Sequence, residues 1–129
     1  GAKGMLWTSV MARGGVYGLR VRVFGTKGSL EWVQNDPGYL RHNPAKGAVR
    51  LLERGFHNAE FSKNFSRIKF GHPEGYLDAF ANIYKEFASS LKNKTKKRYF
   101  YPNEDEGFET AKFINACKIS SKQKKWVKI

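Results

Sequence analysis

Residues 19–33 read LRVRVFGTKGSLEWV and decide the fold of the first half of the chain. Apolar and polar residues alternate on both sides of the GTKG stretch at residues 25–28, which is the pattern of two strands joined by a tight turn. We therefore predict a β-hairpin. Because successive side chains of a strand point to opposite faces, the first strand would have one apolar and one basic face. The apolar row is Leu19, Val21 and Val23, and the basic residues are Arg20 and Arg22.

Further short strands are predicted around this hairpin. Residues 5–11 are apolar and rich in strand-forming residues, and two glycines follow them. The NDPG stretch at residues 35–38 is a strong turn signal, and residues 39–42 and 48–52 have the character of two more strands. The first half is thus predicted to be a meandering, mostly antiparallel sheet of about four or five strands.

The second half of the chain has helical spacing instead. Residues 55–71 are irregular and predict a long loop. A first helix is predicted from about Pro73 to Leu91, with Pro73 as its first residue, and a second from about Asn103 to Ser121, ahead of a short extended tail. A sheet half followed by a helical half predicts an α+β domain, with an open antiparallel sheet and the helices packed on one face.

Length and composition favour one globular domain over residues 1–129. The chain has 129 residues, of which 40% are hydrophobic and 15% aromatic, so it has the material for a packed core. No apolar run reaches the length of a membrane span, and we expect neither membrane insertion nor secretion. Cys117 is the single cysteine, which disfavours a disulfide or a zinc site and predicts a cytoplasmic, reducing location.

The net charge of +13 raises the possibility of a nucleic-acid partner. The basic residues, however, concentrate at or beyond the ends of the two predicted helices, where lysine complements the helix dipole and caps carbonyl groups. We therefore do not expect nucleic acid as a partner. A stand-alone basic binding or scaffold module for a polyanion remains the alternative reading. The two clusters are Lys92, Lys94, Lys96, Lys97 and Arg98, and Lys118, Lys122, Lys124, Lys125 and Lys128.

The sequence contains no complete catalytic or cofactor motif. The glycine pairs in residues 1–4 and 25–28 lack the spacing of a phosphate-binding loop, and neither precedes a predicted helix. No pair of His or Cys residues has metal-ligand spacing, so we predict no metal site. We accordingly assign no catalytic and no cofactor-binding residue within this chain.

Four segments together resemble a known protein family. They are residues 1–9 (GAKGMLWTS), residues 25–32 (GTKGSLEW), residues 71–84 (GHPEGYLDAFANIY), and the last helix with Phe113-Ile114 followed by Trp126-Val127. In this order they are similar to the C-terminal domain of the Gfo/Idh/MocA family of NAD(P)-dependent oxidoreductases. The similarity covers nearly the whole chain, and residues 71–84 are its most specific part.

The resemblance implies a domain with a defined task in a longer enzyme. Family members have an N-terminal Rossmann domain that holds the cofactor, followed by a domain whose open sheet helps to bind substrate and pairs subunits. Their Glu-Lys-Pro motif, and the Asp and His of a downstream motif, would lie upstream of this chain. We expect a substrate-binding and oligomerisation domain truncated at its N-terminus. The fragment alone would be inactive, and NAD or NADP and a sugar or polyol substrate would be bound by the full-length protein.

His72 is the residue with the clearest candidate role in substrate binding. It precedes Pro73, which disfavours helical backbone, so we predict that it occupies the N-cap of the first helix. A helix N-terminus disfavours imidazolium, and a neutral ring can exchange hydrogen bonds with a substrate hydroxyl. The alternative is that His72 only caps the helix or closes the turn with Glu74 and Tyr76. All three residues are substrate-binding candidates.

The basic face of the first strand is a candidate oligomer interface. Arg20 and Arg22 beside Phe24 could pair with the sheet of a second subunit through guanidinium stacking and ion pairs. A solvated sheet face is the alternative, which antiparallel sheets tolerate.

Overall fold

The computed structural model describes residues 1–15, 18–55, 63–93 and 99–129. Within them, four strands are followed by two helices, which confirms the predicted order and the α+β class with an open antiparallel sheet. Part of the predicted loop (residues 56–62, with His57) and residues 94–98, which include four of the basic residues, lie outside the described ranges. The elements are β1 (Arg20–Gly25), β2 (Gly28–Val33), β3 (Tyr39–Pro44), β4 (Arg50–Glu53), α1 (Tyr76–Lys92) and α2 (Glu104–Gln123).

The four strands form an antiparallel meander in the order β1-β2-β3-β4. The predicted hairpin is confirmed, with Gly25 paired to Gly28 across the turn. Gly28 has a φ of +145°, and a Cβ there would come within 2.9 Å of the Pro44 Cα. Only glycine fits this position without strain, because it meets both a positive φ and a neighbouring strand.

The two faces of the sheet differ in the predicted way. On one face, a row of paired residues across all four strands is entirely apolar. On the opposite face, the neighbouring row has a positive, a negative and a positive residue on its first three strands. The apolar row is Val21, Trp32, Leu40 and Leu52. The charged row is Arg22, Glu31, Arg41 and then Leu51.

The predicted strand at residues 5–11 is wrong. The segment has no regular secondary structure, and its apolar side chains are exposed, with Val10 at 95%. A strand needs a neighbour to accept and donate its backbone hydrogen bonds, and no described strand pairs with this segment. Strand propensity alone therefore did not produce a strand.

Helix α1 begins at Tyr76, three residues after the predicted start at Pro73. The Asp78 Oδ2 atom accepts a hydrogen bond from the Gly75 N–H at 3.1 Å, so Gly75 occupies the N-cap. The prediction that His72 is the N-cap is therefore wrong, and the helix-dipole argument that depended on this position no longer applies. Proline is tolerated in the first turn of a helix, but it also fits the non-helical segment that precedes a helix. Pro73 therefore did not determine where α1 begins.

Helix α2 begins at Glu104, one residue after the predicted start at about Asn103. The Asn103 side chain accepts from the Glu106 N–H at 2.9 Å, and the Glu106 carboxylate accepts from the Asn103 N–H at 3.0 Å. This reciprocal pair is a complete capping box. Three acidic residues in the first turn, and Lys122 in the last, complement the helix dipole.

The chain divides into two units, Gly1–Asp78 and Ala79–Ile129. The first contains the sheet. In the second, the Phe87 and Tyr101 rings meet edge to face at 5.8 Å, and the Tyr101 hydroxyl donates to the Ser90 Oγ at 2.9 Å. No described residue is buried as a whole, so the described residues contain no closed core of the kind that the composition predicts. No described helix is long and apolar enough to cross a membrane.

Candidate functional site

A cleft in the first unit brings several polar residues together. It encloses about 250 Å³ and is built from the turn after β2, the end of β4 and the segment that leads into α1. Its lining residues are Asp36, Pro37, Gly38, Tyr39, Glu53, Arg54, Gly71, His72, Pro73 and Glu74.

Close backbone contacts hold these three segments together. The Arg54 N–H donates to the Gly38 carbonyl at 2.8 Å, which joins the end of β4 to the turn. The Trp32 indole N–H donates to the Pro37 carbonyl at 3.2 Å. A Cβ on Gly75 would lie 3.2 Å from the Pro37 Cγ, so the start of α1 comes close to the same turn because Gly75 has no side chain.

An ion pair forms part of the cleft lining. The Arg54 Nη1 atom is 2.6 Å from the Glu74 Oε2, and the side chains are only 18% and 7% exposed. The Glu74 Oε1 accepts from the Arg67 N–H at 2.5 Å. Both carboxylate oxygens of Glu74 are thus engaged by protein groups, and partial burial makes such charge-assisted contacts stronger than surface pairs.

The three substrate-binding candidates are placed differently. His72 and Glu74 both line the cleft, and the His72 carbonyl accepts from the Arg54 Nη2 at 2.8 Å. Tyr76 is the first residue of α1, is 64% exposed and is not among the lining residues. His72 therefore lies at the cleft, while the Glu74 carboxylate is engaged by Arg54 and by the Arg67 N–H.

The remaining polar side chains of the cleft can bind hydroxyl groups. Tyr39 carries a hydroxyl that both donates and accepts, the Asp36 and Glu53 carboxylates accept, and a neutral His72 ring would do both. No three His, Cys, Asp or Glu side chains converge as a metal site in the part of the chain that the structure describes.

Sequence reasoning did not identify Arg54 or the turn at residues 36–38 as part of this site. Arg54 directly follows β4, and nothing in its local sequence distinguishes it from other basic residues. Its partner Glu74 lies on the far side of the predicted loop. The only signal was the strong NDPG turn, which we interpreted as a connection between strands.

Two side-chain contacts order the basic face of β1. The Arg22 guanidinium lies 5.9 Å from the centroid of the Phe24 ring, and the Arg20 Nε is 3.4 Å from the Glu31 Oε1. Phe24 is 73% exposed. A large aromatic ring exposed beside paired charges is typical of residues that anchor protein interfaces.

The described residues do not suit a dinucleotide cofactor. A pyrophosphate binds at helix N-termini that follow a glycine-rich loop. Here α1 has Asp78 in its first turn and α2 has three acidic residues in its own, which would repel the phosphates. The GTKG stretch at residues 25–28 forms a hairpin turn between β1 and β2 and does not lead into a helix.

Comparison with known proteins gives consistent results. A model of the oxidoreductase family C-terminal alpha/beta domain (Gfo/Idh/MocA type) matches residues 1–129. An uncharacterized oxidoreductase of Bacillus subtilis, YfiI, is 32% identical over 130 residues, which cover 95% of this chain and 33% of that protein. The chain thus spans about a third of the length of this curated relative.

Solved structures resemble the chain as well. An oxidoreductase from Sinorhizobium meliloti is 47% identical and has a TM-score of 0.89, over 95% of this chain and 35% of that one. An inositol dehydrogenase homolog from Azotobacter vinelandii, solved in complex with NADH and myo-inositol, is 29% identical. Its TM-score is 0.76, over 84% of this chain and 31% of its own.

Proposed function

Because this chain belongs to the Gfo/Idh/MocA oxidoreductase family, as its C-terminal α/β domain, we propose that it binds substrate and joins subunits in a longer NAD(P)-dependent enzyme. The enzyme oxidises or reduces a carbinol carbon of a sugar, polyol or related hydroxylated molecule. Residues 1–129 act as one domain in this role. The fragment alone is inactive, and the full-length protein is cytoplasmic.

One observation carries the choice of substrate class. The inositol dehydrogenase homolog, which is similar over 84% of this chain, was solved with NADH and myo-inositol. The cleft supports the same choice independently, because its lining offers hydroxyl, carboxylate and imidazole groups suited to a neutral polyol. The cofactor, NAD or NADP, is held by a domain outside this chain, consistent with the acidic helix starts described above.

In this proposal His72 contacts a substrate hydroxyl from the rim of the cleft. Glu74 contributes indirectly, since its carboxylate is bonded to Arg54 and to the Arg67 N–H. Tyr76 lies at the start of α1 and would reach a substrate only if that substrate extended beyond the cleft. The ranking for direct contact is therefore His72 first, then Tyr76.

The substrate role is tested in the full-length gene product by following reduction of NAD⁺ and NADP⁺ with a panel of polyols and sugars. Loss of one hydrogen bond to substrate in His72→Ala should lower kcat/KM about tenfold, which corresponds to about 1.4 kcal/mol. His42→Ala is the matched control, because His42 lies in β3 and outside the cleft lining. Unchanged kcat and KM in His72→Ala would contradict the assignment.

Subunit pairing is proposed to use the face that carries Arg20, Arg22 and Phe24. Its support is the exposed Phe24 ring under Arg22 and the paired Arg20 and Glu31. Phe24→Asp places a carboxylate in the centre of this surface and should dissociate the oligomer in light scattering. Thr26→Asp, which adds the same charge in the hairpin turn, should leave the mass unchanged. A monomeric wild-type protein at high concentration would contradict the proposal.

A further inference from the structure

A single guanidinium group holds most of the segment that carries His72. Arg54 Nη1 donates to the Ile68 carbonyl at 3.3 Å, and Nη2 donates to the carbonyls of Lys69 at 3.5 Å and His72 at 2.8 Å. The side chain is only 18% exposed. One side chain from the end of β4 therefore organises backbone groups spread over five residues.

Glu74 completes this arrangement from the other end of the segment. Its Oε2 is 2.6 Å from the Arg54 Nη1, and its Oε1 accepts from the Arg67 N–H. The segment 67–74 is thus bonded at its start, at its middle and at its end. The planar fork of arginine suits this role, since a lysine ammonium cannot satisfy the same set of acceptors in fixed directions.

The same contacts bear on how the cleft treats substrate. An arginine lining a cleft ordinarily suggests recognition of a phosphate or carboxylate group. Here the positive charge is matched by Glu74, and Asp36 and Glu53 add two further carboxylates to the lining. An anionic substrate group would meet repulsion from these carboxylates, and it would have to displace Glu74 to reach Arg54.

We propose that Arg54 is a positioning residue, which acts through segment 67–74 to hold His72 at the rim of the cleft and does not bind an anionic substrate group. The placement of His72 can be tested by itself, whereas the consequence for catalysis rests on the proposed function. Two measurements on the full-length gene product separate these parts.

The first measurement is the NMR signal of the His72 imidazole C–H group, assigned by its loss in His72→Ala. Arg54→Met removes the donors and should shift or broaden this signal. Arg54→Lys retains the ion pair with Glu74, so its His72 signal should lie between those of the wild-type protein and Arg54→Met. Arg50→Met is the control, because Arg50 is exposed and lies in β4, the strand that Arg54 directly follows, and it should leave the signal in place. An unchanged His72 signal in Arg54→Met would overturn the proposal.

The second measurement is polyol oxidation with inorganic phosphate as a competitor. Arg54→Met should lower kcat/KM by roughly 10- to 100-fold, the range expected from a small displacement of a binding group, and Arg54→Lys should recover part of it. Phosphate should not compete with the polyol in the wild-type enzyme. Phosphate competition that Arg54→Met abolishes would instead identify Arg54 as an anion-binding residue and overturn the proposal.

The two measurements also distinguish the possible failures. A wild-type enzyme that oxidises no polyol contradicts the proposed function, and the His72 signal then decides the role of Arg54. If the wild-type enzyme oxidises polyols with NAD⁺ or NADP⁺ and Arg54→Met retains its kcat/KM, the proposed function stands and the positioning role is refuted.

Discussion

The interaction between Arg54 and Glu74 should appear as a measurable coupling energy. Their charged atoms are 2.6 Å apart, and both side chains are less than one fifth exposed, so solvent screens the pair less than an ordinary surface ion pair. We consider Arg54→Met, Glu74→Gln and the double variant. Methionine retains an apolar stem, and glutamine retains the shape and one acceptor for the Arg67 N–H.

The expected magnitudes follow from the contacts that each variant loses. Arg54→Met leaves the Glu74 charge uncompensated and removes the donor to three carbonyls, for a cost of about 3 kcal/mol. Glu74→Gln removes the ion pair but keeps one hydrogen bond, for about 2 kcal/mol. Because both variants break the same pair, the double variant should cost about 3 kcal/mol instead of their sum, a coupling of about 2 kcal/mol.

The assay is urea unfolding of the full-length gene product and its three variants under one set of conditions. The wild-type, single and double variants give the coupling energy as a difference of differences, which cancels contributions from regions that the substitutions do not touch. A coupling below about 0.5 kcal/mol would show that Arg54 and Glu74 do not stabilise each other, because independent sites commonly give values of that size.

Two further predictions concern positions where the backbone dictates the residue. Gly28→Ala should lower the stability of the sheet by about 2 kcal/mol in thermal unfolding, since its φ of +145° and the nearby Pro44 Cα leave no room for a Cβ. Gly25→Ala is the control in this assay, because a Cβ there would meet only the Gly28 carbonyl at 3.6 Å. Asn103→Ala should destabilise α2 by about 1 kcal/mol because the Glu106 N–H loses its acceptor. Asn103→Asp should retain the cap. If both variants lost the same amount of helical circular dichroism, the capping role of the Asn103 side chain would be contradicted.

The elements that sequence predicted well are those whose signals are local. The hairpin of β1 and β2 combines alternation with a two-residue turn bounded by Gly25 and Gly28, and each feature acts within a few residues. Helix α2 has its Asn103 cap and Glu106 within one turn of each other. Local hydrogen bonds of this kind do not depend on what the rest of the chain does.

The errors come from interactions that reach further. Residues 5–11 have strand-forming composition, but pairing depends on a neighbour, which the described strands do not provide. Helix α1 begins at Tyr76 and not at Pro73, because the Asp78 carboxylate accepts a hydrogen bond from the Gly75 N–H. The preference of proline for the first helical position did not indicate this contact. The contact of Arg54 with Glu74 crosses the segment between β4 and α1 and has no periodic signature, so the sequence placed His72 and Glu74 near each other without revealing what holds them.

The most direct test of the proposed function is a crystal structure of the full-length gene product with NAD⁺ and myo-inositol. We expect the polyol to lie in the cleft formed by residues 36–38, the end of β4 and residues 71–74, with one hydroxyl about 3 Å from a ring nitrogen of His72. A polyol bound without contact to any of these three segments would contradict the substrate-binding role assigned to this domain.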